Sequence, residues 1–337
     1  MDVKDKEKIL KAGSIVSKVR EYARTIVKPG ILLIEIAEKI EAKIFEFGGK
    51  PAFPVNLSIN EIAAHYTPIY NDTTTAHGLL KVDFGVHIDG WTADNAFSVD
   101  LENSEENKKL IKASEEALQK ALELIKKRLD VNNDKSDNKF GVTEKRGDKI
   151  NDVVNSKNHI PGGGGGVDGG INVNEIGSAI QKTIESHGFS PIINLCGHSM
   201  KQYELHGGIT IPNIDDGRGL QIKEGLYAIE PFVTPGSGKV RDGKPSGIYE
   251  LISEKKPRSE LARQVLAFIE KEYNTLPFCS RWLVKKLGLN STLALRELEA
   301  NGSLHHFSQL IEVSGAKVSQ AEHTILIEKD KVTVTTI

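Results

Sequence analysis

Two aspartates in the stretch KVDFGVHIDGWTADNAF, Asp83 and Asp94, are the first residues whose types and spacing could do chemistry. If Asp89-Gly90 forms a two-residue hairpin turn, residue 83 pairs with 96 and residue 94 with 85. Side chains alternate along a strand, so Asp83 and Asp94 share a face and their carboxylates become diagonal neighbours. Two anions held that close need a proton or a cation between them, and a divalent metal is the simpler answer. Taken alone, the pair is explained more simply by solvated aspartates beside a turn. Three further segments alter the balance. GHSMKQYELH sets His198 and His206 eight apart, an even spacing that puts both on one face of a strand. GLYAIEPF carries Glu230 inside an apolar β-like run, and AEHTILI does the same for Glu322. An unpartnered carboxylate in such a run is costly. Four carboxylates and one imidazole suit two adjacent hard or borderline divalent ions, such as Mn²⁺, Co²⁺ or Fe²⁺, better than a structural zinc site. Two metals about 3.5–4 Å apart can activate a bridging water and stabilise the oxyanion that follows, which is hydrolase chemistry.

The elements that must position these residues follow from periodicity. Residues 5–28 read as an amphipathic helix, with Ile9, Leu10, Ile15, Val16, Val19 and Ala23 at helical spacing. A second helix covers about 33–47 and ends at Gly48-Gly49. Short β-like runs follow at 53–59, 79–88 and 91–100. A third helix is expected over 105–129. Its start, KLIKA, echoes KILKA near the beginning of the chain, and GINVNEIGSAIQKTIESHG (170–188) echoes GILLIEIAEKIEAKIFEFG (30–48) with seven identical positions. We read this as an internal duplication, two helix–helix–strand halves related by pseudo-symmetry. The stretch near 130–169, rich in Asn, Asp, Lys and Gly, is expected to be a mobile surface insertion between the third and fourth helices. Residues 257–312 read as helix, helix-turn-helix and hairpin, a winged-helix-like pattern. Arg281, Lys285, Lys286 and Arg296 could give it a basic face, although Glu297 and Glu299 dilute the charge. The expected organisation is a main domain of 1–256 plus 313–337, with 257–312 as a helical subdomain.

Composition bounds the rest. The 337 residues carry 44 Lys and Arg against 46 Asp and Glu, a formal charge of −2, which argues against a nucleic-acid partner. No apolar run approaches the ~20 residues of a bilayer span. The start, MDVKDKEKIL, lacks an apolar signal core. Two cysteines, Cys196 and Cys279, cannot build a disulfide framework and fit a reducing compartment. A cytoplasmic protein is expected, with no membrane partner. Cys196 is expected to be a small core residue, and His323, beside Glu322, to point to the opposite strand face.

The spaced set Asp83, Asp94, His198, Glu230 and Glu322 resembles the five-ligand site of the pita-bread metallopeptidases. The segments FPVNLSINEIAAHYTP, KVDFGVHIDG, GHSMKQYELH, YAIEPF, TLPFCSRWL and QAEHTILI are similar to type 2 methionine aminopeptidases. The helical stretch lies between the fourth and fifth ligand positions, where that type carries its insertion. The chain opens directly on the catalytic domain, which resembles the archaeal form. The resemblance implies an α+β pita-bread fold and two divalent ions per chain, drawn from Co, Mn, Fe, Zn or Ni. In it, Asp83 would chelate one ion, Asp94 and Glu322 would bridge both, and His198 and Glu230 would hold the other. Glu230 would also act as general acid and base, His206 would contact the scissile carbonyl, and His65 would face the substrate methionine. Phe53, Leu205 and Phe232 match positions lining the methionine pocket, where a thioether packs well against aromatic edges. The implied function is removal of initiator methionine from the N-termini of nascent polypeptides, favouring small second residues, by a monomer; a ribosome contact is left open. The alternatives are a non-catalytic RNA- or protein-binding member of the fold, and an Xaa-Pro peptidase on the same metal centre.

Overall fold

A computed structural model describes residues 2–137, 170–329 and 331–337. Apart from the end of the third helix, the insertion expected near 130–169 lies outside the described residues. The first half comprises α1 (Val3–Ile26), α2 (Leu33–Glu46), three short strands β1 (Lys50–Pro51), β2 (Asn56–Ile59) and β3 (Ile62–Ala64), and the hairpin β4 (Leu79–Ile88) and β5 (Trp91–Asp100). The second half comprises α3 (Glu105–Asp137), β6 (Ile171–Asn172), α4 (Val173–Ser186), β7 (Ser190–Pro191), β8 (Cys196–Met200), β9 (Thr210–Pro212), β10 (Gln221–Ile222), β11 (Gly225–Ile229), β12 (Phe232–Thr234) and β13 (Val240–Leu251). The helical subdomain adds α5 (Glu260–Glu272), β14 (Phe278–Cys279), α6 (Ser280–Leu287), α7 (Ser291–Ala300) and β15 (Leu304–Glu312). The chain then returns through β16 (Ser319–Gln320), β17 (His323–Glu328) and β18 (Lys331–Val334). Among the described residues no helix is long and apolar enough to cross a membrane.

The duplication is visible in three dimensions. α4 and β7 repeat α2 and β1 at a constant offset of 140 residues (33 to 173, 50 to 190). Each copy leaves its helix through a glycine in the left-handed region, Gly48 at φ 80° and Gly188 at φ 78°. In the first half, Ile15, Val16 and Val19 of α1 and Ile36 and Ile40 of α2 pack on Val82, Phe84 and Val86 of β4. That leaves the alternate residues of β4, Asp83 among them, on the opposite face. In the second half, α3 and α4 cover the face of β11 and β17 that carries Tyr227, Ile229, Ile325 and Ile327. Leu10, by contrast, lies on the exposed side of α1.

The β4–β5 register matches the expectation: Asp83 pairs with Ala96, Gly85 with Asp94 and Ile88 with Trp91. The turn places Asp89 at φ 48° and Gly90 at φ 83°, as a type I′ hairpin requires. The second sheet is antiparallel in the order β18-β17-β11-β8-β9. A seam of hydrogen bonds joins it to the hairpin. The Glu322 N–H donates to Ala96 O at 3.0 Å, the Asp94 N–H donates to Thr324 Oγ1 at 2.7 Å, and Thr324 Oγ1 donates back to Asp94 O at 2.8 Å. Both halves therefore present side chains to one seam.

The helices of this stretch build a separate apolar cluster, in which Val265, Ile269, Leu283, Leu295 and Leu298 pack with Phe278 and with Tyr249 of β13. Its last strand, β15, also pairs with β13 and β3, which ties the insertion into the main body. The basic face that Arg281 and Lys285 could have helped to form is largely neutralised. Arg281 is fully buried and makes a bidentate pair with Glu41 of α2 at 2.8 and 2.7 Å, and Lys285 pairs with Glu38.

Candidate metal centre

The five expected ligands meet on the seam. One ligand atom each from Asp94, His198 and Glu322 lies within 4.8 Å of the others. His198 Nε2 is 3.8 Å from Asp94 Oδ2 and 3.5 Å from Glu230 Oε1. The backbone explains the convergence. Asp83 and Asp94 come from the hairpin face turned away from α1 and α2, and His198 sits opposite Ala228 in the β8–β11 ladder. Glu230 differs in detail from the expectation: it lies in the break between β11 and β12 rather than inside a strand. Glu322 sits in the matching break between β16 and β17. Such breaks free a side chain from strict alternation and let both carboxylates turn into the seam.

The electrostatics of the cluster fit a cation. Burial pushes the Asp83, Glu230 and Glu322 carboxyls well above their ordinary range, and the neighbouring carboxylates push the same way. Burial raises Asp94 to about 7. Burial lowers His198 to about 3, with the adjacent His206 adding to the effect, so the imidazole is neutral. His198 Nδ1 faces the Ser199 carbonyl at 3.4 Å, and a carbonyl only accepts, which assigns the proton to Nδ1. The bare Nε2 lone pair then points at two carboxylates. Three buried oxygens, Asp83 Oδ1, Asp94 Oδ1 and Glu322 Oε1, have no hydrogen-bond partner. Lone pairs facing lone pairs in a buried site are what a divalent cation resolves. Gln320 Nε2 is the nearby donor, reaching Glu230 Oε2 at 3.5 Å and Glu322 Oε2 at 3.4 Å.

Above the cluster opens a cleft of about 360 Å³. Asp83, His198 and Glu230 reach its wall, while Asp94 and Glu322 lie beneath it. Phe53, Leu205 and Phe232 all line it, as do His65 and His206. His206 comes close by a route other than the one expected. β8 ends at Met200, a turn through Tyr203 at φ 59° reverses the chain, and the two rings meet edge to face at 4.7 Å. Burial lowers the His206 pKa.

His65 is held at φ 64°, a left-handed conformation rare for a bulky residue and common where a side chain must be aimed at a site. Its Nδ1 donates to Ser308 O at 3.2 Å and its ring packs edge-on to Phe307 at 5.4 Å. Burial, with the nearby His206, lowers it to about 4, which leaves Nε2 as an acceptor facing the cleft.

Several cleft residues were not anticipated. Cys196 lines the cleft instead of the core, and burial, reinforced by Glu230, pushes its thiol up to about 11. Asn56 sits directly across the β2–β4 ladder from Asp83. Its Nδ2 donates to Pro54 O at 3.0 Å, while its buried Oδ1 has no partner. Ile248, Phe307 and Leu310 enter from the β13–β15 pair. The spacing of Asn56 from Asp83 was readable once β2 was paired with β4; nothing local marked the others. Tyr249 stays out of the cleft, stacked on His306 at 4.0 Å. His323 points away from the cluster, as expected, with its ring held by Thr336 and Arg20.

Comparison with known proteins agrees with this geometry. Residues 7–135 match the signature of metallopeptidase family M24. A methionine aminopeptidase from Pyrococcus horikoshii is 42% identical over 338 aligned residues, covering 98% of this chain and 99% of its own. Among solved structures, that of a thermophilic Arx1 superposes with a TM-score of 0.75 at 17% identity, covering 99% of this chain and 91% of that one. A methionine aminopeptidase from Thermotoga maritima superposes with a TM-score of 0.61 at 21% identity, covering 100% of this chain and 98% of that one. These two likenesses carry the fold.

Proposed function

The chain belongs to the methionine aminopeptidases of metallopeptidase family M24, pita-bread enzymes that bind divalent metal, and from that premise we propose how its residues divide the removal of an N-terminal methionine. Asp83, Asp94, His198, Glu230 and Glu322 would hold two divalent ions, of which Mn²⁺, Co²⁺ and Fe²⁺ best suit an oxygen-rich set with one imidazole. Bound there, the ions would supply Lewis-acid activation of water and of the scissile carbonyl. The observation that carries this reading is the bare His198 Nε2 converging with the Asp94 and Glu230 carboxylates, beside buried oxygens of Asp83, Asp94 and Glu322 that have no hydrogen-bond partner.

The protein's own groups would do the rest. Glu230, whose carboxyl is pushed up by burial, takes a proton from the attacking water and hands it to the leaving amine nitrogen. Gln320 Nε2 orients Glu230 and Glu322 through their Oε2 atoms. His206 is neutral near pH 7 and donates to the oxygen that gains charge as the carbonyl is attacked. His65, with Nδ1–H committed to Ser308 O, accepts through Nε2 from the N–H of the second residue. Phe53, Leu205 and Phe232 enclose the methionine thioether. The orphan Asn56 Oδ1 beside Asp83 accepts from the substrate amine. Substrates would be the N-termini of nascent polypeptides with small second residues. Both cysteines are free, in keeping with a reducing compartment such as the cytoplasm.

A substrate panel tests the reading. Peptides starting Met-Gly, Met-Ala and Met-Ser are hydrolysed in the presence of metal, and Xaa-Pro dipeptides are not. Hydrolysis of Xaa-Pro in preference to Met-Ala would transfer the site to a proline-specific peptidase.

A further inference from the structure

A second concavity, of about 340 Å³, lies between α2 and the subdomain and shares with the cleft only Pro277. Nothing in the proposed chemistry uses it. α2 contributes Ala42 and the largely exposed Phe45, and the α5–α6 junction contributes Tyr273 and Trp282. Two aromatic rings form the wall: Trp282 lies 5.6 Å from Tyr273 at 34°, and Tyr273 is backed by the buried Phe278, stacked on it at 5.0 Å and 9°. The Trp282 ring in this wall offers an apolar face to a planar guest.

The polar groups of the groove are unevenly used. Each acid is matched: Glu41 by Arg281, Glu38 by Lys285 and Glu272 by Lys50. Lys286 also lines the groove and has no partner among the described residues. His87 is only 8% exposed. Its Nδ1 accepts the Gly90 N–H at 3.0 Å, which puts the ring proton on Nε2, and that N–H donates to no described group. The groove therefore offers one uncompensated positive charge and one unused N–H, on a largely buried imidazole, beside the Tyr273 and Trp282 rings.

We propose that this groove is a ligand site for a small planar monoanion, an aromatic carboxylate, with its ring against Trp282 and its carboxylate taken by the His87 N–H and the Lys286 ammonium. An aromatic cation would add to an existing excess of positive charge, and a neutral ring would leave both donors unmet.

The protein has two tryptophans, Trp91 and Trp282, so Trp91→Phe leaves Trp282 as the sole reporter. The metal-loaded Trp91→Phe protein is titrated with 4-nitrobenzoate, a non-fluorescent planar carboxylate, in saturating free methionine to occupy the cleft. Saturable quenching is expected, with at least tenfold weaker binding of neutral 4-nitrobenzamide. Lys286→Glu, at an exposed position, should weaken 4-nitrobenzoate at least tenfold, and Ala42→Phe should abolish saturation by filling the groove. Equal affinity for acid and amide, indifference to both substitutions, or loss of quenching when methionine is added would overturn the proposal; the last would move the ligand to the cleft.

Discussion

Replacing Asp94 with asparagine should have opposite effects on stability with and without metal. Without metal, Asp94 is a buried carboxyl whose pKa lies at about 7 against an ordinary 3.8. A raised folded-state value means that the folded protein disfavours the ionised form. Stability is therefore undiminished below about pH 4, declines as pH rises from 3.8 through 7, and is lowest above that. The gap corresponds to about 4 kcal/mol at ~1.36 kcal/mol per pH unit. Asp83, Glu230 and Glu322 share the repulsion, so the part relieved by Asp94→Asn is about 2–4 kcal/mol. Spread over the unfolding entropy of a chain this long, that is about 3–6 °C in Tm. Chelator-stripped Asp94→Asn should accordingly melt above stripped wild type at pH 8, and the difference should vanish near pH 4. With Mn²⁺ at a hundredfold excess over its Kd, wild type gains about 2.7 kcal/mol and the variant, short of a ligand, gains far less, which reverses the order. Differential scanning fluorimetry at pH 4, 6 and 8, with and without metal, reads all four states. A stripped variant that melts below stripped wild type at pH 8, or equal metal stabilisation of both proteins, would refute the reasoning.

Three further outcomes follow from other contacts. Arg281→Met alone should destabilise by about 3–5 kcal/mol in chemical denaturation, because Glu41 is left charged and buried, whereas Arg281→Met with Glu41→Leu should recover most of the loss. Asn56→Ala should raise KM for Met-Ala-Ser several-fold with little change in kcat, because in the proposed reading the unpartnered Asn56 Oδ1 would accept from the substrate amine rather than meet the reacting carbonyl. His87 is lowered to about 4 by burial and by nearby Lys50. Its neutral form stabilises the fold above pH 6.5 and that contribution is lost as pH falls to 4, so His87→Asn should flatten the acid side of the stability profile over that window, as measured by urea midpoints.

The parts of the site that could be read in advance were those fixed by local periodicity. The diagonal placement of Asp83 and Asp94 on one face follows from strand alternation and from one turn dipeptide whose left-handed φ values only a few residues accept. His323 was placed on the far face by the same alternation. Where the chain leaves regular structure, alternation gave the wrong route. His206 reaches His198 around a turn after Met200, and Glu230 sits in a strand break. Long-range partners were out of reach altogether. Arg281 looked like part of a basic surface because its partner, Glu41, lies 240 residues away. Phe307 and Leu310 join the cleft only because β15 pairs with β13 and β3. The assignment of the five ligands and of the cleft aromatics to a methionine-removing site came from motif resemblance, since no single spacing carries that much.

The most direct test of the central claim is hydrolysis of Met-Ala-Ser by chelator-stripped protein, with and without added Mn²⁺ or Co²⁺, beside Glu230→Gln. Metal should restore release of free methionine to the wild type, while Glu230→Gln, equally folded, should stay at least a hundredfold slower under the same metal. Folded, metal-treated wild type that releases no methionine, or a Glu230→Gln protein as fast as wild type, would contradict the account.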